Sequence, residues 1–103
     1  MITKLLTLLL LASTFAVDAN AANYVVKISN MKFGPAPVNL KVGDTIEWEN
    51  DDMFRHTATV KGVFDADLNP GAKQTVTLHK AGIVSAICRY HPNMTLKLSV
   101  GGK

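Results

Sequence analysis

From Tyr24 onward apolar and polar residues alternate with a period of two, a pattern that gives a β-strand one apolar face and gives a helix none. Val26 and Ile28 alternate with Lys27 and Ser29; Val38, Leu40 and Val42 with Asn39 and Lys41; Ile46 and Trp48 with Thr45, Glu47 and Glu49. The alternation resumes at His56–Val60, Thr75–Leu78, Ile83–Cys88 and Leu96–Val100. Gly34-Pro35, Gly43-Asp44, Asn69-Pro70-Gly71 and Ala81-Gly82 stand between the segments, where glycine and proline supply the dihedrals that turns demand. Seven short strands with regular turns predict an all-β chain, an antiparallel β-sandwich whose core is the inward residues of two facing sheets. The sequence holds no helical stretch of useful length, no internal repeat and no linker.

Residues 1–21 follow a different pattern. Lys4 lies in a short basic start, Leu5 to Val17 form an apolar run, and the small residues Ala19 and Ala21 precede a cleavage point, as in a secretory signal peptide. Ser13 and Thr14 break the run, which is too short for the roughly 20 apolar residues of a membrane span. The expected mature domain is residues 22–103, exported to the periplasm without membrane insertion. A domain of this size buries only about 60% of its unfolded surface. Exported domains this small usually gain a tie from disulfides, but a single cysteine forms no internal one, so a metal is the next candidate. The formal net charge of +3 is spread along the chain, without the concentrated basic stripe that nucleic-acid binding requires.

The one cysteine lies in CRYHPNM, residues 88–94, which sets Cys88, His91 and Met94 three residues apart. Cys88 closes a predicted strand and Leu96 opens the next, so the three share one tight connection at an end of the sandwich. A loop this short does not surround an ion alone, and a fourth ligand is expected from elsewhere in the sheet. His79 sits in the polar turn LHKAG and is the weaker choice; His56 follows the loop NDDMFR and opens an apolar strand, where a side chain points inward. Two imidazoles, a thiolate and a thioether suit copper, and His2Cys with a long axial Met is the known blue-copper set. Structural zinc takes four strong ligands, for which a thioether is a poor fourth. The plainer readings are a lone buried or reactive thiol at Cys88 and core filler at Met94, and both leave the spacing unexplained.

The stretches WENDDMFRHTAT and CRYHPNM, together with MKFGPAPVNLKVGDTIEWEN, resemble the cupredoxins, small type 1 blue copper proteins of the amicyanin-like and plastocyanin-like kinds. The resemblance implies a Greek-key β-sandwich of about seven to eight strands and one copper ion cycling between Cu(II) and Cu(I). It makes His56, Cys88 and His91 a trigonal ligand set with Met94 axial, and brings the ring edge of His91 to the surface. It also implies a monomeric one-electron shuttle, not an enzyme, working between redox partner proteins. Amicyanin-like carriers take electrons from a periplasmic dehydrogenase and pass them to a cytochrome c. A copper carrier or chaperone is the alternative function.

The same resemblance has Thr57 tying its strand to the cysteine loop. Tyr90 stands where proline is often found and keeps its N–H, from which an extra bond to the Cys88 sulfur is expected. Val84, Ala86 and Leu96 depart from the family pattern. Arg55 and Arg89, each beside a proposed ligand, either rim the metal end for an acidic partner or are simply solvated.

Overall fold

The computed structural model describes residues 21–103, and the proposed leader, apart from Ala21, lies outside them. Nine strands follow in order: β1 (Asn23–Ser29), β2 (Lys32–Phe33), β3 (Leu40–Lys41), β4 (Thr45–Asn50), β5 (His56–Val60), β6 (Phe64–Leu68), β7 (Lys73–Thr77), β8 (Gly82–Cys88) and β9 (His91–Gly101). They form a four-stranded sheet ordered β2-β1-β4-β7 and a five-stranded sheet ordered β3-β9-β8-β5-β6. The described residues contain no helix. The all-β sandwich is as expected, but its sheets are mixed rather than purely antiparallel. β1 pairs parallel with β4, from Asn23 beside Thr45 to Ile28 beside Asn50, and β3 pairs parallel with the end of β9 at Leu40–Val100. Sequential strands that cross between the sheets are free to return parallel to a neighbour, which a tight hairpin never does.

The period of two places the core. Ile46, Trp48 and Asn50 point inward from β4, Val26 and Ile28 from β1, and Leu98 and Val100 from β9. Trp48 is fully enclosed, edge-on to Phe33 and tilted against Phe64. β5 is buried along its whole length because it lies between β8 and β6 and is covered on both faces. Its Ala58 and Val60 join the core, while Thr57 and Thr59, on the opposite face, satisfy each other's hydroxyls.

The ligand connection is tighter than the sequence predicts. β9 begins at His91, not Leu96, because Cys88 pairs directly with His91 across a two-residue turn, Arg89-Tyr90. The regular ladder resumes at Ile87 opposite Thr95, so Pro92, Asn93 and Met94 are extra residues on one side of a register shift. Such a bulge re-aims side chains at the rim of a sheet. Proline is tolerated there because β3 reaches β9 only at its far end, and Pro92 interrupts no second ladder.

Candidate metal centre

Three donors from three strands converge at this end of the sandwich. His56 opens β5, Cys88 closes β8, His91 opens β9, and their ligand atoms all lie within 4.8 Å of one another. Nδ1 of His56 is 3.2 Å from Nδ1 of His91; Sγ of Cys88 is 3.7 Å from the former and 3.5 Å from the latter. A point equidistant from these three atoms lies about 2.0 Å from each, close to first-row metal–nitrogen bonds of ~2.0–2.1 Å and metal–sulfur bonds of ~2.3 Å. His56 and Cys88 are 0% exposed, and His91 is half-buried. Met94 is buried on β9 and lines the same groove as His91. His79 is exposed and outside the group.

The partners of His56 fix where its lone pair points. Nε2 lies 2.9 Å from Asp52 Oδ2. The hydrogen bond from His56, foremost, and the N–H of Met31 hold the Asp52 carboxyl below its ordinary range despite some desolvation. An ionised carboxylate only accepts, so Nε2 is the donor in this contact and Nδ1 is the ring nitrogen turned toward the centre of the triangle. A carboxylate behind a histidine ligand commonly orients the ring and raises its basicity.

Asp52 is itself held in place. Its backbone N–H donates to Asn50 Oδ1 at 2.9 Å, and the buried Asn50 donates from Nδ2 to the carbonyls of Phe54 and Leu68 at 2.8 and 3.0 Å. Asn50 thus satisfies the loop from Asp51 to Arg55 from inside, where unpaired carbonyls are costly. From the other sheet edge, the N–H of Met31 donates to Asp52 Oδ2 at 2.9 Å. Met31 adopts φ 62°, and with Asn30 at φ 52° it forms the two-residue turn joining β1 and β2. Both central residues of such a hairpin turn require positive φ, which methionine adopts at a cost, and here the strained residue aims its amide at the carboxylate behind His56.

No sequence pattern points to Asp52 or Met31 as supports of the site. The available signal was an acidic side chain four residues before the candidate ligand, which carries little weight in a loop. The functional group of Met31 is its backbone amide, to which side-chain patterns are blind.

Thr57 ties β5 to the cysteine turn twice. Its N–H points to Cys88 Sγ at 3.4 Å, and its Oγ1 accepts the N–H of Arg89 at 2.9 Å. The proton directions are then determined. Asp65 accepts from the Thr59 hydroxyl, so Thr59 Oγ1 must accept from Thr57, 2.9 Å away, and the chain Arg89 N–H, Thr57, Thr59, Asp65 runs one way toward the carboxylate. The side chain of Arg89 returns to Asp65 at 3.2 Å and closes the ring. Among the described residues the amide that reaches the sulfur is that of Thr57, and no Tyr90 N–H bond to sulfur is formed. The turn that pairs Cys88 with His91 leaves that amide without the expected role. Replacing Thr57 by Val is expected to destabilise the apoprotein by about 1–3 kcal/mol in chemical denaturation, because the Arg89 N–H loses its acceptor, while Thr57→Ser keeps most of the stability. Equal stability of the valine and wild-type proteins contradicts this role for the ring.

Around the metal end, His91, Tyr90, Pro92, Asn93, Met94, Met31 and Lys32 line a groove of ≈ 460 Å³. Met53 and Phe54 are 77% and 50% exposed nearby in sequence, on the loop before His56. Arg55 and Arg89 both lie over the Tyr90 ring, at 5.2 and 5.5 Å from its centroid. Neither is an unmatched cation. Arg55 forms a two-pronged pair with Asp67, and Arg89 pairs with Asp65 and lies 3.7 Å from Asp67. Arg55, foremost, draws the Asp67 carboxyl below its ordinary range. Two arginines face two aspartates, so the rim offers an acidic partner little net attraction.

A two-sheet β-sandwich with a buried cysteine sulfur and two imidazoles at one end defines the soft-metal, copper-binding class of small β-proteins. Comparison with known proteins places the chain within that class. The family profile described as a cupredoxin-like domain matches residues 1–100, and the chain belongs to this family. It is 33% identical over 92 residues to amicyanin of Paracoccus versutus, covering 82% of this chain and 70% of that one. It is 37% identical over 91 residues to plastocyanin of Nostoc punctiforme, covering 79% of this chain and 63% of the relative's length, just under two thirds. A solved structure of a methionine-to-alanine amicyanin variant in the Cu(I) form superposes with a TM-score of 0.66 at 28% identity, over 84% of this chain and 90% of that chain.

Proposed function

We propose that the protein is a type 1 copper electron carrier, in which His56, Cys88 and His91 would hold one copper ion and Met94 would add a weaker thioether ligand. The observation that carries this reading is the donor triangle, whose centre sits at metal-bond distance from one sulfur and two nitrogens. Sulfur with imidazole selects copper among the common first-row metals, and a weak axial Met is the mark of electron-transfer sites.

A copper ion in this site supplies a one-electron Cu(II)/Cu(I) couple. The protein's part is to keep its ligands fixed in both states. His56 is held by Asp52 and, through it, by Asn50 and the β1–β2 turn. Cys88 is held by the Thr57 amide and by the ladder that pairs it with His91. Ligands on three paired strands move little, so neither oxidation state demands a new geometry. The half-buried His91 ring is the shortest link between the triangle and the surface, amid the groove and the exposed Met53 and Phe54. An apolar docking face with charge-matched arginines suits brief contacts with redox partner proteins, read by resemblance as a periplasmic dehydrogenase donor and a cytochrome c acceptor. The same reading makes the protein a monomer in the periplasm and a carrier rather than an enzyme, since four protein ligands leave the ion no substrate position.

A copper chaperone is the second reading. Handing an ion to another protein requires ligands that a partner reaches and exchanges, whereas His56 and Cys88 are wholly enclosed. Titrating the apoprotein with Cu(II) separates the two. An electron carrier binds one equivalent, develops an intense visible band and cycles reversibly under reductant and oxidant. A colourless product that gives up Cu(I) readily to a chelator overturns this reading in favour of delivery.

A further inference from the structure

At the opposite end of β1 from the Met31 turn, a carboxylate lies buried under the first residue of the expected mature chain. Asp44 is 0% exposed, in the tight connection between β3 and β4, where Gly43 takes φ 98°. Its Oδ1 accepts the N–H of Ala22 at 2.9 Å, and its Oδ2 accepts the N–H of Lys41 at 3.0 Å. The Lys41 ammonium also reaches Oδ1, at 2.9 Å. Ala22 is fixed from its other side as well, since its carbonyl accepts the N–H of Thr45 at 2.9 Å. One residue further, Asn23 pairs with Thr45 in the sheet and takes a hydrogen bond from its hydroxyl at 2.6 Å. The backbone nitrogen of residue 22 is thus set against a buried negative charge with little freedom to leave it.

That nitrogen is also the atom at which the sequence places a cut. Small residues at Ala19 and Ala21, after a basic start and an apolar run, mark the bond between Ala21 and Ala22. We infer that the export peptidase hydrolyses this bond and that the new α-ammonium of Ala22 docks on the Asp44 carboxylate as the fold's N-terminal lock. The hydrolysis consumes one water and leaves a carboxylate on Ala21 and an ammonium on Ala22.

Before the cut, the contact is a neutral amide donating to a carboxylate. After it, the donor carries a full charge, and such hydrogen bonds are roughly twice as strong as neutral ones. A buried carboxylate is costly unless paired, which gives the position of the new terminus a physical consequence. A chain cut one residue earlier or later would place its charge beyond the reach that Thr45 fixes. The Ala22 N–H, ahead of the Lys41 ammonium, already draws the Asp44 carboxyl below its ordinary range. Among the described residues Lys41 and Asp44 are the charged groups at this nitrogen, and the Lys41 ammonium and the Ala22 nitrogen both contact Asp44 Oδ1. Leader removal thereby completes the electrostatics of the sheet end, so the exported product is more stable than the precursor. This holds whether or not the metal site functions as proposed.

The test expresses the full chain with its own leader and recovers the exported product. Its mass is expected to correspond to a chain beginning at Ala22, and its α-amine, followed by NMR as pH rises, to titrate above the ordinary ~7.7–8.0. Transamination, which converts an N-terminal alanine amine to a ketone and spares lysines, is expected to lower the folding equilibrium of the product by about tenfold. The same treatment of Asp44→Asn protein is expected to change it far less. A product beginning elsewhere, or an equal loss on transamination in both proteins, overturns the inference. If Asp44→Asn does not fold, the amine titration decides, and an α-amine titrating in or below the ordinary range overturns it.

Discussion

Cys88→Ser protein given one equivalent of Cu(II) is expected to show none of the intense visible absorption of the wild type and no reversible one-electron couple at the site. A thiolate is a soft, strongly donating ligand, and a serine hydroxyl is a hard oxygen that stays protonated near neutral pH, so the exchange removes the ligand that makes the site a copper thiolate. The replacement is nearly isosteric, and Thr57 still offers its N–H to the new oxygen, as it does to Sγ at 3.4 Å. The fold should therefore survive with a loss on the order of 1–3 kcal/mol for burying a hydroxyl in place of a thiol. Visible spectra and voltammetry, with far-ultraviolet circular dichroism to verify folding, provide the measurement. A folded Cys88→Ser protein that keeps the colour contradicts the assignment of Cys88.

The second large effect is expected at Asp52, which touches a proposed ligand and not the metal. Asp52→Asn should weaken copper binding by about 10–100-fold, the usual loss when the carboxylate behind a histidine ligand is removed. Asp52 accepts the Met31 N–H and His56 Nε2–H at Oδ2 and the Met53 N–H at Oδ1. An asparagine with its NH2 at the Oδ2 position faces two donors, Met31 N–H and His56 Nε2–H, and with its NH2 at the Oδ1 position faces one, Met53 N–H, leaving His56 an uncharged and weaker acceptor. In either orientation the ring of His56 loses its charged partner and with it part of its donor strength. A competition titration against a copper chelator reads the affinity, and an affinity within twofold of the wild type would falsify the positioning role. Asp52→Ala, which removes every contact, should lose at least as much.

Much of the sandwich was legible in the sequence, because each long strand announces itself. Val26 and Ile28, and Ile46 and Trp48, alternate with polar neighbours, and the structure buries one face of each; in the run from Ile83 to Cys88 Ser85 alone is polar, and Ala86 and Cys88 are buried while Ile83 and Ile87 stay exposed. The short strand Lys32–Phe33 carries too few residues for any period to appear, whereas the Val38–Val42 alternation marks a segment of which only Leu40–Lys41 is a strand. The parallel pairings of β1 with β4 and of β3 with β9 join segments remote in sequence, and no local pattern encodes them. Phe64–Leu68 is a strand that the sequence analysis does not include, and its outward residues, Asp65 and Asp67, serve as counter-ions to Arg89 and Arg55.

The candidate donors were legible for a different reason. Cysteine, histidine and methionine are rare, and three of them at equal spacing in one turn are conspicuous, whereas His56 had to be chosen by its place at the mouth of an apolar strand. Of what holds the donors, the tie from Thr57 to the cysteine turn was expected from the family resemblance and is formed. Asn50, Asp52, Thr59 and the amide of Met31 were not legible, being ordinary residues whose roles depend on where the chain brings them, 21 positions apart for Met31 and Asp52.

X-ray absorption at the copper edge, recorded on the loaded protein in both oxidation states, tests most directly whether one sulfur and two imidazoles from three strands hold a single ion without rearranging. The account predicts one short sulfur and two nitrogen scatterers, with distances nearly unchanged on reduction. A copper environment of oxygen and nitrogen alone, or the loss of a nitrogen ligand when Cu(II) becomes Cu(I), would contradict it.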